Sequence, residues 1–386
     1  MKNILVGLTL VLGALEAGAQ DFPQQDTTVR FEHHELHFSI LKGEGTPILF
    51  ESGAGNDGSV WHSLLQDINR LTGATLITYD RAGFGKSSLD TVHKEVEYHN
   101  LESSFQDLEK SLAYLGYSDE IVLVSHSYGG YLNYLYANKY PNRVKGIVAL
   151  DIVHDYHTEG FADSLLNRIP EVIEKWRLHN PGMYYIHASL TQAADLISTV
   201  SIPDSIPVVD LVAELPFSSV EQEAKRWKSK HADFVKNHPR ATGILAANCG
   251  HYIWRDNKPL VVMSIANLYA SISSNEKRQE IEHRIAGYAI TSSNEAKGDQ
   301  YSERQNNIYG YNLLRRGMQQ QALLVFELNT LLYPTSYNAF DSYGEALAIA
   351  GQTEKAIAMY EKSVQLNPEN QNGRHMLKRL RGKHEN

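Results

Sequence analysis

A chain of 386 residues has room for two domains, or for one large domain with an appendage. Its 42% hydrophobic and 21% charged residues are those of an ordinary globular protein and exclude wholesale disorder. A formal net charge of -9, with basic residues clustered only in the closing Lys378 to His384, excludes a general nucleic-acid binder, which needs a basic face for phosphates.

The chain opens MKNILVGLTLVLGALEAGAQ, with Lys2, an apolar stretch from Ile4 to Leu15 and the small residues Ala17-Gly18-Ala19. This is the pattern of a secretory signal at 1–19, cleaved near Ala19 and too short to span a bilayer. Export to the periplasm or the medium follows, with no membrane span once the signal is removed. The single cysteine, Cys249, cannot form an intramolecular disulfide.

Strand-like and helix-like segments then alternate from Val29 to about Ser274, which predicts a mostly parallel sheet covered by helices. The strand candidates are TVRFEH, ELHFSI, PILFE, TLITYD, EIVLVS, VKGIVALD, IPVVDLV and TGILAA, eight in all. Helices are expected at 60–71, 101–116, 128–140, 219–238 and 259–272. The interval between Ile152 and Ser205 is too long for a connection, and is predicted to be a helical lid inserted between the sixth and seventh strands.

The third strand runs into Gly53, Gly55 and Gly58, spaced G-x-G-x-x-G, and Asp80 follows 22 residues after the last. That combination matches a dinucleotide-binding turn with its ribose carboxylate, and a nucleotide-dependent oxidoreductase is one reading of it. The G-K-S of DRAGFGKSS (80–88) lacks the glycine a phosphate-binding loop needs.

The strongest catalytic feature is EIVLVSHSYGGYLNYLYA (120–137), a buried strand that turns at Ser125-His126-Ser127-Tyr128-Gly129-Gly130 into a helix. This is the context of the nucleophile elbow G-x-S-x-G, with Ser125 in the first glycine's place. Small residues stand two before and two after the nucleophile because the sharp turn crowds the neighbouring backbones. Ser127 is the expected nucleophile, and the Tyr128 N–H can point at an oxyanion. A serine hydroxyl needs a base, and His251, after the last strand in NCGHYIW, is the expected one. His154 and His157 with Asp155 are expected to be hydrogen-bonded surface, and neither a metal nor a cofactor is expected.

Beyond the last strand the pairs Gly310/Gly344, Leu313/Leu347, Gly317/Gly351, Ala322/Ala356, Phe326/Tyr360, Leu332/Leu366 and Pro334/Pro368 all differ by 34. That period resembles the tetratricopeptide repeat over 276–386, which implies a helical domain that offers a protein or peptide partner a surface, or simply stabilises the chain.

Taken with DRAGFGKSS and YPNRVKGIVALD (140–151), residues 28–275 resemble the α/β-hydrolase fold, and the whole chain is similar to exported bacterial α/β hydrolases with C-terminal tetratricopeptide repeats. The resemblance implies a doubly wound, mostly parallel eight-stranded sheet with a lid at about 152–205. It makes the Ala54 N–H the partner of the Tyr128 N–H in an oxyanion hole, with Ser52-Gly53 where many relatives have His-Gly. Most relatives place the triad acid after the seventh strand, where this chain offers only Asp210 and Glu214; some place it at the end of the sixth, which here is Asp151. Asp151 is the first choice, with Glu214 and Asp210 as alternatives. The implied activity is ester hydrolysis of a small molecule through an acyl-enzyme. The alternatives are amide or peptide cleavage, as in proline-iminopeptidase-like aminopeptidases, and a non-catalytic interaction protein built on the repeats.

Overall fold

Eight strands make one sheet in the order β1-β2-β4-β3-β5-β6-β7-β8. The computed structural model describes residues 24–154, 170–215, 221–295, 303–315 and 319–382. The segment read as a signal peptide lies outside them, as do Asp155 and His157. The strands are β1 (Gln24–Arg30), β2 (Glu35–Leu41), β3 (Ile48–Glu51), β4 (Leu76–Tyr79), β5 (Ile121–His126), β6 (Val144–Leu150), β7 (Val208–Ala213) and β8 (Ala241–Ala246). β2 runs antiparallel to both its neighbours, β1 and β4, and every other pairing is parallel.

The central strands are continuous apolar runs because helices cover both faces of the parallel part of the sheet. All six residues of β5 are buried. Each apolar side chain fully withdrawn from water there stabilises the fold by about 1.5–3 kcal/mol. One face is packed by helices Leu101–Leu115 and Gly130–Lys139, the other by His62–Thr72 and Lys258–Ile272. Asn100 and Asn257 cap two of these helices by accepting from the Ser103 and Leu260 N–H groups, which have no partner within a first turn.

Between β6 and β7 the described part of the insertion is helical, at Pro170–His179, Pro181–Ala188 and Leu190–Ser198. Gly182 brings the second of these helices against the loop after β4; a Cβ there would lie 2.7 Å from the Phe84 ring. After Lys258–Ile272 the described residues form the helices Asn275–Glu295, Glu303–Arg315, Gln319–Leu332, Tyr337–Ile349, Thr353–Leu366 and Gln371–Arg381. Asn275–Glu295 docks on His62–Thr72, where Tyr288 Oη donates to Asp67 Oδ2 at 3.2 Å. One apolar cluster runs from the sheet through Ile281 and Ile285 to Phe326 and Tyr360. Among the described residues, no helix is long and apolar enough to cross a membrane.

Candidate active site

Three non-glycine residues have positive φ among the described residues, and all three sit at the carboxyl ends of strands: Ser127 at 52°, Asp151 at 47° and Asn248 at 56°. The left-handed region costs an L-residue roughly 1–2 kcal/mol, so tight packing must impose it. At Ser127 that packing can be named. A Cβ on Gly129 would lie 2.8 Å from the Glu51 and Ser52 carbonyl oxygens, and one on Gly130 would lie 2.6 Å from Ile152 Cβ. Two residues before, Ser125 is fully buried and its Oγ accepts from Asn133 Nδ2. The Val153 N–H donates to the Ser127 carbonyl at 3.1 Å and ties the turn to the end of β6.

His251 lies in the loop after β8, and its Nδ1 donates to Asp151 Oδ2 at 2.6 Å. The other oxygen, Asp151 Oδ1, accepts from Trp227 Nε1 at 2.8 Å and from the Ala213 N–H at 3.0 Å. Burial acts to raise the Asp151 pKa, but the His251 hydrogen bond, the charge of His231 and the Ala213 N–H together hold it below the ordinary carboxylate value. A donated Nδ1–H leaves Nε2 of a neutral ring as the acceptor, which is the tautomer a general base needs.

His126, next to Ser127, packs its ring 4.4 Å from that of His251 and donates from Nε2 to the His251 carbonyl at 2.9 Å. Burial, with the charge of His251 adding to it, pushes the His126 pKa down to about 3, so this ring is a neutral support. Gly53 is required by that ring: a Cβ there would lie 2.7 Å from His126 Nδ1 and 3.1 Å from Ser127 Cβ.

Of the three carboxylates weighed, Asp151 is the one that meets His251. Glu214 Oε2 accepts from the Asn248 N–H at 2.7 Å, in the turn that precedes His251. Asp210 is enclosed within the sheet, where its Oδ2 accepts from His231 Nδ1 at 2.8 Å. His154, expected at the surface, is fully buried beside Asp210, because the chain leaving β6 passes beneath the helix Glu221–Asn237 before it reaches the insertion.

The loop after β3 owes its shape to a buried network that the sequence reading does not contain. Arg81 Nη2 donates to the Ser52 and Gly53 carbonyls at 2.8 and 2.6 Å. In a trans peptide the N–H points opposite to the carbonyl, so drawing the Gly53 carbonyl toward Arg81 turns the Ala54 N–H away from it. Arg81 is paired with Glu51 at 3.3 Å, and Glu51 accepts from Tyr79 Oη. Burial raises the Glu51 pKa to about 7 against the opposing effects of Arg81 and Tyr79. The Arg81 guanidinium also lies 5.2 Å from the centre of the Tyr128 ring. Tyr128 itself is in the first turn of the short helix Ser127–Gly129, where an N–H has no partner within the helix.

The Gly58–Asp80 spacing has a mechanical origin. Asp80 Oδ1 accepts from the Gly58 N–H at 2.8 Å, and its Oδ2 accepts from the Lys86 N–H at 2.8 Å. Both oxygens are engaged in joining the glycine loop to the turn after β4.

Residues 46–181 match the family model described as the alpha/beta hydrolase fold. The chain is 26% identical to the uncharacterized protein YqjL of Bacillus subtilis, over 61% of this chain and 88% of that one. It is 32% identical to the (lyso)-N-acylphosphatidylethanolamine lipase of Bos taurus over 28% of this chain, and spans 30% of that lipase. Among solved structures, the alpha/beta hydrolase domain-containing protein 10 from mouse aligns with a TM-score of 0.49 at 20% identity, covering 64% of this chain and 100% of that one. The chain has the alpha/beta hydrolase fold, with the eight-stranded, mostly parallel sheet expected of it.

Proposed function

We propose that this chain of the alpha/beta hydrolase fold is a serine hydrolase of carboxylic esters that works through an acyl-enzyme. The observation that carries the reading is the 2.6 Å bond from His251 to Asp151, with Ser127 held at positive φ directly after His126, whose ring packs on that of His251. In this reading His251 takes the Ser127 proton as Oγ attacks the ester carbonyl, and returns it to the leaving alcohol. Asp151 holds the imidazole in its tautomer and stabilises the imidazolium. The N–H groups of Ala54 and Tyr128 receive the negative charge that develops on the carbonyl oxygen. Water then attacks the acyl-enzyme, with His251 again the base, and releases the acid.

A fluorophosphonate probe should label the wild-type protein on Ser127 and leave Ser127→Ala unlabelled. An unlabelled wild type that is folded and binds a partner through its C-terminal helices would favour the interaction-protein reading. A panel of activated esters of graded chain length, run beside aminoacyl amides, separates ester from amide cleavage. Faster turnover of the amides would make the chain an aminopeptidase.

The C-terminal helices belong to the proposal as tetratricopeptide-like repeats. Their starts at Glu303, Tyr337 and Gln371 are 34 residues apart, as are those at Gln319 and Thr353. A Cβ on Gly310 would meet the Phe326 ring at 2.6 Å and one on Gly344 the Tyr360 ring at 3.1 Å, the same crossing repeated 34 residues on. Export rests on the leader residues 1–19, and amino-terminal sequencing of protein recovered from the periplasm or medium tests it.

A further inference from the structure

Close to Asp151, three ligand-type atoms converge. His154 Nε2 lies 3.2 Å from His231 Nδ1 and 3.4 Å from Asp210 Oδ2, and His231 Nδ1 lies 2.8 Å from that same oxygen. We propose that His154, Asp210 and His231 bind a divalent transition-metal ion at this point.

The geometry first. Ligands held about 2.0–2.1 Å from one tetrahedral ion stand roughly 3.3 Å apart. The three edges of this triangle, 2.8, 3.2 and 3.4 Å, bracket that value. Two imidazole nitrogens and one carboxylate oxygen are also a donor set that suits zinc and its neighbours. The ring side of His154 turned away from the triangle is anchored as that of a metal-ligating histidine usually is, its Nδ1 sharing a 2.8 Å hydrogen bond with Tyr134 Oη.

Protons alone satisfy this cluster poorly. Both imidazoles would aim at one oxygen of Asp210, while Asp210 Oδ1 is buried without a hydrogen-bond partner. A buried carboxylate oxygen left in this way is costly, and an ion shared by the carboxylate and both rings removes the cost. The side chains are 0%, 1% and 2% exposed for His154, Asp210 and His231. An ion seated there would load as the chain folds and exchange slowly afterwards. It would pin the start of the insertion, strand β7 and the helix Glu221–Asn237 to one another, with His231 Nε2 3.9 Å from Asp151 Oδ1.

The test is metal content of the full chain folded with Zn²⁺ in excess and passed over a chelating resin. About one equivalent should stay with the wild type and less than about a tenth with Asp210→Asn. Refolding with Co²⁺ should give the visible d–d bands of a four-coordinate site, a readout that needs no variant should Asp210→Asn fail to fold. Less than a tenth of an equivalent in the wild type, equal retention by a folded Asp210→Asn, or a colourless cobalt protein would each overturn the proposal. Because none of these readouts depends on turnover, failure here and failure of the hydrolase reading are distinguishable.

Discussion

Two imidazole–carboxylate pairs lie side by side in this molecule, and they differ in what surrounds them. His251 bonds Asp151 at 2.6 Å and keeps 20% of its side chain exposed; His231 bonds Asp210 at 2.8 Å and keeps 2%. The open pair sits on loops that leave β6 and β8, and its imidazole is partly exposed. The closed pair joins a strand to a helix and is buried. In the proposed reading the same two side-chain types serve turnover in one setting and cohesion in the other, and burial makes the difference.

The largest effect should come from breaking the open pair. Asp151→Asn keeps the shape but disfavours the needed tautomer, and kcat should fall by about 10⁴-fold with the thermal midpoint little changed. Steady-state kinetics on the best ester of the panel, beside a melting curve, checks both halves. Asp210→Asn should give the opposite split. Removing one partner of a buried pair costs about 3–5 kcal/mol, read in urea unfolding, while the fraction of folded protein labelled by the fluorophosphonate stays near the wild-type value. If Asp210→Asn instead silences the serine in folded protein, the division between the two pairs fails.

A third buried carboxylate sharpens the comparison through pH. Glu51 is fully enclosed with Arg81 and Tyr79, and its pKa rises from 4.5 to about 7. Between those values an unfolded chain has released the proton and the folded chain still holds it. Folding stability from this group therefore falls as pH rises through that window, by on the order of 3 kcal/mol in all. Urea midpoints from pH 4.5 to 7.5 should decline less steeply in Glu51→Gln than in the wild type. Identical slopes would mean that Arg81 keeps Glu51 ionised throughout.

Much of this was legible because buried parallel strands are continuous apolar runs and sharp turns need small residues. EIVLVS and the Gly129-Gly130 pair announce β5 and its turn without any tertiary information. The partners of the site were less legible because they come from distant segments. Arg81 stands in DRAGFG, which marks a turn but not the carbonyls it will hold. His231 is hidden in KRWKSKHADFVKN, a helix whose charges suggest a solvated surface. The available signal was the spacing of Trp227, His231 and Phe234, one stripe of that helix, and all three are buried. Only the fold shows that Asp210, a carboxylate within an apolar strand, meets that stripe.

The smallest expected effect tests the assignment of the acid itself. Glu214 sits where relatives of this fold often carry the triad acid, yet its Oε2 accepts from the Asn248 N–H and helps hold a residue at a φ of 56° three positions before His251. A glutamine in its place still offers a carbonyl oxygen to that N–H. What is lost is the extra strength of a charged acceptor, about 1 kcal/mol or less at this half-exposed turn. Glu214→Gln should therefore turn over esters within about threefold of wild type, with the change, if any, shared between kcat and KM as the His251 loop loosens. A collapse comparable to that expected of Asp151→Asn would transfer the acid's role to Glu214. The 2.6 Å bond would then hold a resting imidazole that must swing away before each turnover, and the two pairs would no longer differ in kind.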